Sequence, residues 1–519
     1  MHQIIQTASL NQINDSSTYD QVYNGLDSCL TLEIFNKLAD KSSNPIYTFE
    51  RALQAPILEI MLRGFRVDRR EALKGVIELS SKIAKIDNIL QRYVAAIWDK
   101  VDPKTRQPIN ANSPDQIKDL LYTHMHFPEQ YKNDKGVRKL SVDRDALEKL
   151  QDYLYARPIV NCLLAIRDLK KQKQVFETEI DSDDRWRTSY NIAGTDTGRL
   201  SSSSSSENTG SNFQNIDGAL RHIFLADPGY YLIGIDLEQA ESREVGWLQG
   251  ILFDRWEYLD ACYSGDLHTL VCKLTWKNLP WTGDPKKDRE IAEQPFYRDF
   301  EYRFMAKKLG HGSNYYGKPP TLARHAKIPL ELAEDFQQNY FNAFPGFPLW
   351  HNWVREQLIT SSTLTTPWGR TRQFFDRAHE DATLRKAIAF SPQSSTADRT
   401  NLALYRIWKN VPQVQLLAQV HDAIYCQCPV TIHPNDIIPL LLNQIDIRLH
   451  HKDRELIVPG EAKIGYNLGS YVDENDIAKW QKNGAKGTMP RLNLLGLKKF
   501  KENIPDERIT QHVSKRLDR

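Results

Sequence analysis

The sequence predicts an α+β fold in which a small sheet, assembled from two distant stretches of the chain, is joined to lobes of helices. The first stretch is a nearly unbroken apolar run from Tyr231 to Ile235 that ends at Asp236, a pattern typical of a strand buried on both faces. The second is a pair of strand-like segments, 416–420 and 423–428, with His421 and Asp422 between them at a hairpin tip. Most of the remaining chain shows helical patterns.

Length and composition favour a large enzyme. A chain of 519 residues with 40% hydrophobic residues can bury several cores, so several lobes are expected. The net charge of +2 neither supports nor excludes nucleic acid, because clustering of basic residues matters more. Six scattered cysteines without a C-x-x-C pair argue against a zinc site or disulfide framework and favour a reducing compartment. Without a signal peptide or an 18-residue apolar run, we expect a soluble, intracellular protein with no membrane contact.

Two aspartates are candidate metal ligands. Asp236 would be costly at the end of a buried strand unless a partner such as a divalent cation paired with it. If Asp422 lies on the adjacent strand end, the two carboxylates could hold two Mg²⁺ ions about 4 Å apart, the spacing used for in-line phosphoryl displacement. The alternatives are that Asp236 only caps the following helix, predicted over 238–247, and that Asp422 lies in a solvated turn.

A third stretch carries a cationic stripe. Arg303, Lys307 and His311 recur every four residues and would line one helix face, with Tyr315 continuing the row. Such a face suits a triphosphate with a base stacked at its end, whereas the alternative is a solvated basic surface. The nearby segment 312–318 has the glycine and lysine spacing of a P-loop, but Pro319 replaces the metal-binding Ser or Thr and a helix precedes it.

The three stretches resemble motifs A, B and C of family A DNA polymerases, the bacterial DNA polymerase I type, and follow that family's order. Similar segments also occur at 194–202 (GTDTGRLSS), 214–216 (QNI), 265–268 (GDLH) and 385–398. The resemblance covers roughly 46–470. It implies a right-hand polymerase fold with a palm sheet, helical fingers and a helical thumb. It also implies a DNA-directed DNA polymerase that adds deoxynucleotides to a primer 3′-hydroxyl and releases pyrophosphate.

The resemblance implies a division of the chain into an exonuclease-like remnant at 1–45, a thumb at 46–183, palm segments at 184–250 and 385–470, fingers at 251–384 and a basic C-terminal tail at 471–519. Within these regions we predict a helix start with a capping box at 113–116 and a hairpin at 363–374. The serine run 201–206 is predicted to be a flexible surface loop. The tail from Lys479 is predicted to be mobile and solvated, with contact to duplex DNA or a replication partner as the alternative.

Site roles also follow from the resemblance. Asp236 and Asp422 would hold two Mg²⁺ ions, for which Mn²⁺ can substitute, and the backbone carbonyl of Leu237 would complete one coordination sphere. Lys307 would also protonate pyrophosphate, and Glu241 would crowd the 2′ position of the incoming sugar. The full nucleotide-binding set is Arg303, Lys307, His311, Tyr315, His268, Glu241 and Gln239. Contacts to primer-template DNA are expected from Arg199, Gln214, Asn215, Arg385, Gln393 and His421.

Two positions depart from the family pattern. Ala423 stands where the family usually has Glu after the motif C Asp, which predicts weaker organisation of the metals. His311 stands where Phe or Tyr is usual, which leaves open how the sugar is discriminated. The rival interpretations are a catalytically weak, polymerase-shaped DNA-binding protein, a reverse transcriptase or an RNA polymerase.

Tyr23 and Asp27 have the spacing of the last exonuclease motif of proofreading polymerases, although an ordinary helix start is the alternative. Before Tyr23 the sequence offers Asp15 and Asp20 but no Glu, too few carboxylates for a two-metal nuclease site. We therefore expect polymerisation without proofreading by a phage-like replicase. A separate exonuclease or replication proteins are candidate partners.

Overall fold

The computed structural model describes residues 16–39, 44–98, 108–134, 136–297, 300–482 and 490–500. The first part of the chain is a mainly helical lobe that contains three short strands. Its elements are α1 (Ser16–Lys37), α2 (Pro45–Arg63), β1 (Phe65–Val67), α3 (Arg69–Trp98), α4 (Pro114–Lys118), a π-helical turn (Asp119–His124), β2 (Tyr131–Asp134), β3 (Val137–Leu140), α5 (Arg144–Leu150) and α6 (Arg157–Glu177). The long helices α3 and α6 pack against each other within the region predicted to be the thumb. Leu90, Leu120, Leu147 and Leu163 belong to a separate core there.

The predicted helix start at Ser113 is confirmed, but its capping box is only half formed. The Ser113 hydroxyl accepts a hydrogen bond from the Gln116 backbone N–H at 3.4 Å, so it caps α4 as expected. The Gln116 side chain does not return the bond to Ser113. It accepts instead from the Asn110 backbone N–H at 2.7 Å and thereby fixes the incoming loop.

The middle of the chain first builds strands and then a second helical lobe. The strand region contains β4 (Arg185–Trp186), β5 (Thr188–Asn191), β6 (Ser201–Ser204), 3₁₀ turns at Phe213–Asn215 and Gly218–Ile223, β7 (Phe224–Leu225) and β8 (Tyr230–Leu237). The helical lobe contains α7 (Ala240–Phe253), α8 (Glu257–Tyr263), α9 (Leu267–Thr275), α10 (Pro285–Ala292), β9 (Pro295–Tyr297), β10 (Phe300–Glu301), α11 (Tyr302–Asn314), α12 (Pro319–Ala326), α13 (Leu330–Ala343), α14 (Gly346–Thr360), β11 (Thr363–Thr365) and β12 (Thr371–Gln373). The hairpin predicted at 363–374 is confirmed as β11 and β12, with Gly369 at φ 89° in its turn.

The last part of the chain returns to the sheet. It contains α15 (Asp381–Asn410), β13 (Gln415–Val420), β14 (Ala423–Pro429), α16 (Pro434–Ile445), β15 (Leu449–His451), β16 (Arg454–Leu456), β17 (Gly460–Gly465), α17 (Glu474–Lys482) and β18 (Lys498–Lys499). The main sheet has five strands in the order β13-β14-β8-β17-β18, and every neighbouring pair is antiparallel. As predicted, the sheet is assembled from two separated stretches, with the second helical lobe between them.

Strand β8 lies at the centre of this sheet and is buried on both faces, as predicted. Tyr231, Ile233 and Ile235 pack into one core with residues of α15 and α16, while Leu232 on the other face joins a second core. Alternation along the strand places Asp236 on the same face as Leu232 and Gly234. The apolar run therefore serves two cores, and its polar end emerges at the sheet edge next to the turn between β13 and β14.

The prediction of a flexible loop is wrong for the first four residues of the serine run. Ser201–Ser204 form strand β6, which pairs with β5 over four residues. The Ser202 hydroxyl also donates to the Asn212 side chain at 2.6 Å. The serines look like a loop in sequence because they lack apolar alternation, but the ladder and these side-chain bonds supply the order that composition does not reveal.

The prediction of a mobile tail from Lys479 is also wrong for the part that the structure describes. Lys498–Lys499 add the fifth strand to the sheet, pairing with Ile464 and Lys463 of β17. The preceding segment is held by Asn493, whose amide bonds with Asn467 at 2.9–3.0 Å, and by Arg491, which donates to Glu71 of α3 at 2.8 Å. The rest of the predicted tail, 483–489 and 501–519, lies outside the described residues.

Tyr23 and Asp27 lie within helix α1 rather than at its start, and Tyr23 is exposed. The preceding Asp15, which entered the argument on exonuclease carboxylates, lies outside the described residues. The exonuclease-like remnant and the absence of proofreading therefore stay predictions.

A buried ion pair between two helices stabilises the packing behind the sheet. Arg399 of α15 and Glu244 of α7 have fully buried side chains and meet at 3.1 Å. Burial raises the pKa of Glu244, while the Arg399 charge opposes that rise. Arg399 also donates to the carbonyl of Ile447 and lies 5.3 Å from the centre of the Trp368 ring. The pair therefore connects α7, which follows β8, to α15 and to the segment after α16.

Arg399→Met is expected to lower the free energy of unfolding by about 3–5 kcal/mol, because it leaves the Glu244 carboxylate buried without a partner. The control is Arg289→Met, which removes an ion pair with Glu293 whose side chains are 56% and 42% exposed. That change is expected to cost less than about 1 kcal/mol. Urea unfolding followed by tryptophan fluorescence compares the two variants, and equal losses would contradict the assignment.

Candidate active site

The two predicted aspartates lie at adjoining strand ends. The register pairs Asp236 on β8 with Ala423 on β14, and the Leu237 N–H donates to the Asp422 carbonyl at 3.3 Å. His421 takes a left-handed conformation, with φ 57°, in the two-residue turn between β13 and β14. The turn therefore places Asp422 beside the end of the central strand.

The positions of the two carboxylates make their ionisation less favourable. Burial raises the pKa of Asp236, and the negative charges of Asp422, Glu461 and Glu238 raise it further. Burial also raises the pKa of Asp422, with Glu241 as the main nearby negative charge. The positive charges of Lys463 and Arg199 offset part of this rise at Asp236 and Asp422, respectively. Because both pKa values are still raised, the added positive charge of a divalent cation would favour the ionised carboxylates.

The donor set fits Mg²⁺. Carboxylate and backbone carbonyl oxygens are the ligands this ion prefers, and Mg²⁺ is usually held by one or two carboxylates together with water or substrate phosphates. Across the described ranges, no three His, Cys, Asp or Glu side chains lie close enough to enclose an ion by themselves. Asp236, Asp422 and the Leu237 carbonyl would therefore form an open site that water or phosphate oxygens complete.

The predicted cationic stripe lies on helix α11. Lys307 and His311 are exposed, whereas Arg303 is partly buried and makes a bidentate bond with Asp266, at 3.0 and 2.9 Å. Asp266 lies in the GDLH segment but was not among the predicted site residues; it also caps α9 by accepting from the Thr269 N–H at 3.3 Å. Burial alone would raise the pKa of Asp266, but the bonds from Arg303 and Thr269 lower it to about 2. Its position just before the first residue of a helix was the available signal.

His268 lies in the first turn of α9 and faces this basic group. Burial lowers its pKa to about 4, and the charges of Arg303, Lys307 and His311 add to the effect. His268 is therefore neutral near pH 7 in the free protein. The two helices bring together four of the residues predicted to bind the triphosphate.

Glu241 connects the acidic and basic parts of the site. One of its carboxylate oxygens accepts from the Arg199 guanidinium and the other from the Tyr315 hydroxyl. The Tyr315 ring in turn lies 5.0 Å from that of His311. The negative charge of Glu241 also favours the protonated forms of Asp422 and His421. Three residues predicted to have separate tasks thus form one bonded group. Sequence spacing gave no signal for this, because the residues come from three distant segments.

The other predicted residues occupy varied positions. Gln214 is buried and donates to the Gln419 side chain at 3.2 Å, whereas Asn215 is exposed. Gln239 is left-handed, with φ 55°, just before α7, and its amide donates to the Gly265 carbonyl at 3.5 Å. The remaining three are His421, exposed at the turn; Gln393, partly buried on α15; and Arg385, exposed near the start of α15. The positive charge of Arg385 favours the deprotonated forms of Lys318 and Asp381.

An α+β fold with two aspartates at adjoining strand ends, connected through Glu241 to the end of a basic helix, has the groups that metal-dependent nucleotidyl transfer needs. The family model for DNA polymerase family A matches residues 80–258 and 289–466, more than half of the chain. The chain therefore belongs to DNA polymerase family A. Members of this family generally depend on divalent metal ions.

Curated relatives agree with this assignment. The thermostable DNA polymerase I of Thermus aquaticus is 27% identical over 400 residues, covering 73% of this chain and 43% of the relative. DNA polymerase I of Helicobacter pylori strain J99 is 27% identical over 403 residues, covering 73% and 39%. DNA polymerase I of Chloroflexus aurantiacus is 26% identical over 486 residues, covering 87% and 46%. The chain thus spans less than half the length of these relatives.

A solved structure confirms the fold. The polymerase domain of Pol1 from M. smegmatis, in complex with a DNA primer-template and dNTP, matches with a TM-score of 0.66 and 24% identity, covering 83% of this chain and 72% of that one. The predicted right-hand fold of sheet palm and helical fingers and thumb is therefore confirmed. The helices within the described ranges are each too short or too polar to span a bilayer.

Lys307→Met is expected to raise the pKa of His268 above about 4, because it removes one of the positive charges that oppose protonation. Lys308→Met is the matched control, since Lys308 instead donates to the His325 carbonyl. Histidine hydrogen–deuterium exchange with mass spectrometry measures the pKa in each variant.

The sign of the His268 effect on stability follows from the same shift. Its pKa is lower in the folded protein than the ordinary 6.5, so the unfolded chain binds more protons between about pH 4 and 6.5. The His268 contribution is present above pH 6.5 and is lost as the pH falls toward 4.

An unchanged pKa of His268 in Lys307→Met, or an equal rise in Lys308→Met, would contradict the proximity of Lys307 and His268.

Proposed function

We propose that this chain carries out template-directed DNA synthesis, adding deoxynucleotides to a primer 3′-hydroxyl and releasing pyrophosphate. The observation that carries the proposal is the connected site in which Glu241 links the Asp236 and Asp422 pair to the basic face of α11. Nucleotidyl transfer needs both parts, because acidic groups recruit the metals and cations neutralise the triphosphate. The corresponding organisation is a thumb at 46–183, a palm at 184–250 and 385–470, and fingers at 251–384, preceded by the region 1–45.

The metal ligands would be Asp236, Asp422 and the Leu237 carbonyl, with two Mg²⁺ ions as the natural cofactors and Mn²⁺ as a substitute. Bound there, the ions would lower the pKa of the primer 3′-hydroxyl and offset the charge of the triphosphate and the leaving pyrophosphate. The raised pKa values of both aspartates support this proposal, since a bound cation would favour their ionised forms.

The basic residues would bind the triphosphate in different ways. Arg303 uses its Nε and Nη2 atoms on Asp266, which leaves the donors of Nη1 for phosphate oxygens. Lys307 is exposed and ends in a mobile ammonium, so it suits pairing with phosphate and donation of a proton to pyrophosphate. Neutral His268 can donate one hydrogen bond without adding charge, and His311 and Tyr315 would contact the base end.

The nucleic-acid side of the site would consist of Arg199, Gln214, Asn215, Arg385, Gln393 and His421, acting on the primer-template and the nascent pair. DNA and deoxynucleotides as substrates are supported by the M. smegmatis relative, whose structure contains both. Arg199 is bonded to Glu241 in the free protein, so contact with the primer would require that bond to be exchanged. The six free thiols support a reducing, intracellular location.

Primer extension with labelled deoxy- and ribonucleotides, on DNA and RNA templates, tests this proposal. Asp422→Asn is expected to slow extension at least about 10³-fold, equivalent to about 4 kcal/mol, because it removes a negative charge from the metal site. Affinity for primer-template should change little, and the exposed control Asp436→Asn should retain activity.

Near-normal extension by Asp422→Asn would remove that residue from the site. Preference for an RNA template would favour a reverse transcriptase, and preference for ribonucleotides an RNA polymerase. Binding of primer-template without extension by the unmodified chain would favour a catalytically weak DNA-binding protein.

Glu241→Ala is expected to raise ribonucleotide insertion relative to deoxynucleotide insertion, because the smaller side chain no longer crowds the 2′ position. Glu241→Gln is the matched control. It preserves the volume and an acceptor for Arg199 or Tyr315, so it should retain most of the discrimination. Steady-state insertion of each nucleotide opposite the same template base gives the ratio. If the ratio is unchanged in Glu241→Ala, His311 or another residue provides the gate.

A further inference from the structure

The two strands that flank β8 carry different side chains directly opposite Asp236. The register pairs Asp236 with Ala423 on β14 and with Glu461 on β17. Residues directly opposite each other in antiparallel strands project on the same face, with Cβ atoms about 4.5–5.5 Å apart. Asp236 therefore has a methyl group on one side and a second carboxylate-bearing side chain on the other.

We propose that Glu461 is the third carboxylate of the metal site and that, in the free protein, its ion pair with Lys499 keeps it away from the metal. This inference rests on the proposed two-metal function. Ala423 leaves the β14 side of Asp236 without a charge at the position where the family usually has Glu. In the free protein the three carboxylates do not lie close enough to enclose an ion by themselves. Glu461 would return the missing charge from the opposite neighbouring strand once its longer side chain turns toward the end of β8.

In the free protein, Glu461 is paired with two lysines. Its carboxylate accepts from the Lys499 ammonium at 2.6 Å and lies 3.6 Å from that of Lys463. Burial opposes ionisation of Glu461, but the bond from Lys499 and the charges of both lysines lower its pKa below the ordinary value. Glu461 and Lys463 have opposite effects on Asp236, since the Glu461 charge raises its pKa and the Lys463 charge lowers it. The group is thus charged and electrostatically coupled to a proposed metal ligand.

The C-terminal strand β18 brings Lys499 to this face of the sheet. Lys499 pairs with Lys463 in the register, and Lys463 lies two residues from Glu461, so all three side chains share the face of Asp236. Lys498 points the other way and lies 4.1 Å from the centre of the Tyr471 ring. Lysines bind nucleic-acid phosphates. A phosphate that takes Lys499 would release Glu461, so binding of the primer-template and completion of the metal site would be coupled.

Binding of Mn²⁺ to the full chain, measured by electron paramagnetic resonance without nucleotide, tests the proposal independently of activity. Glu461→Gln is expected to weaken binding about 10- to 100-fold in the presence of primer-template, the scale seen when groups that support a metal site are lost. Glu238→Gln is the matched control, because Glu238 also acts on Asp236 but is exposed. Circular dichroism and thermal unfolding verify that each variant is folded.

Two further variants separate ligation from a general change of charge. Ala423→Glu should restore most of the lost affinity to Glu461→Gln, because it supplies a carboxylate on the other side of Asp236. Lys499→Met should strengthen Mn²⁺ binding without nucleic acid by releasing Glu461, and this gain should disappear in Lys499→Met/Glu461→Gln. Lys498→Met, on the opposite face, should have no such effect.

These experiments distinguish failure of the proposed role of Glu461 from failure of the proposed metal site. If Asp422→Asn weakens Mn²⁺ binding but Glu461→Gln does not, the metal site stands and the role of Glu461 is refuted. The role is equally refuted if Glu238→Gln matches Glu461→Gln, if Ala423→Glu fails to restore binding, or if Lys499→Met acts without Glu461. If Asp422→Asn also leaves binding unchanged, the metal site itself is wrong.

Discussion

The pairing of β8 with a strand on each side is the constraint on which the rest of the site depends. A slip of one residue in either ladder would turn Asp236 toward the core that holds Ile233 and Ile235. Because both faces of β8 are packed, the apolar side chains fix the register strongly. The bond between the Leu237 N–H and the Asp422 carbonyl then sets the position of the turn that carries the second aspartate. Packing far from the chemistry thus determines where the carboxylates meet.

Charges proposed to bind substrates are paired with internal partners in the free protein. Arg303 is held by Asp266, Arg199 by Glu241, and Glu461 by Lys499. The first two pairs are partly buried, as is Glu461 in the third, whereas Lys499 is exposed. Leaving a partly buried member without its partner would carry a desolvation cost. Substrate binding can therefore proceed by exchange of partners, in which phosphates or metals replace an internal ion pair. Such exchange favours ligands that carry the right charge at the right place over ligands that only fit the cleft.

The sequence could predict the elements whose signals are local. The apolar run of β8, the hairpin around His421 and Asp422, and the stripe on α11 each depend on spacing within a few residues, and all three are confirmed. Strands β6 and β18 could not be predicted, because they are stabilised by pairing with strands ten or more residues away and their own composition does not indicate a strand. For the same reason, the pairing of Arg303 with Asp266 and of Glu241 with Arg199 and Tyr315 became visible only in three dimensions.

The loop that carries Arg199 shows how distant segments can fix one site residue. Gly198 adopts φ 76°, and a Cβ atom there would lie 2.5 Å from the Arg370 guanidinium carbon. Arg370 is in turn held by Asp398 of α15 at 2.7 Å and by Glu50 of α2 at 2.6 Å. Since the Asp398 side chain is 2% exposed, this bond is shielded from water and the guanidinium has little freedom to move. The position of Arg199 beside Glu241 therefore depends on Arg370, Asp398 and Glu50, which come from three other segments of the chain, and a side chain at position 198 would displace the site through Arg370.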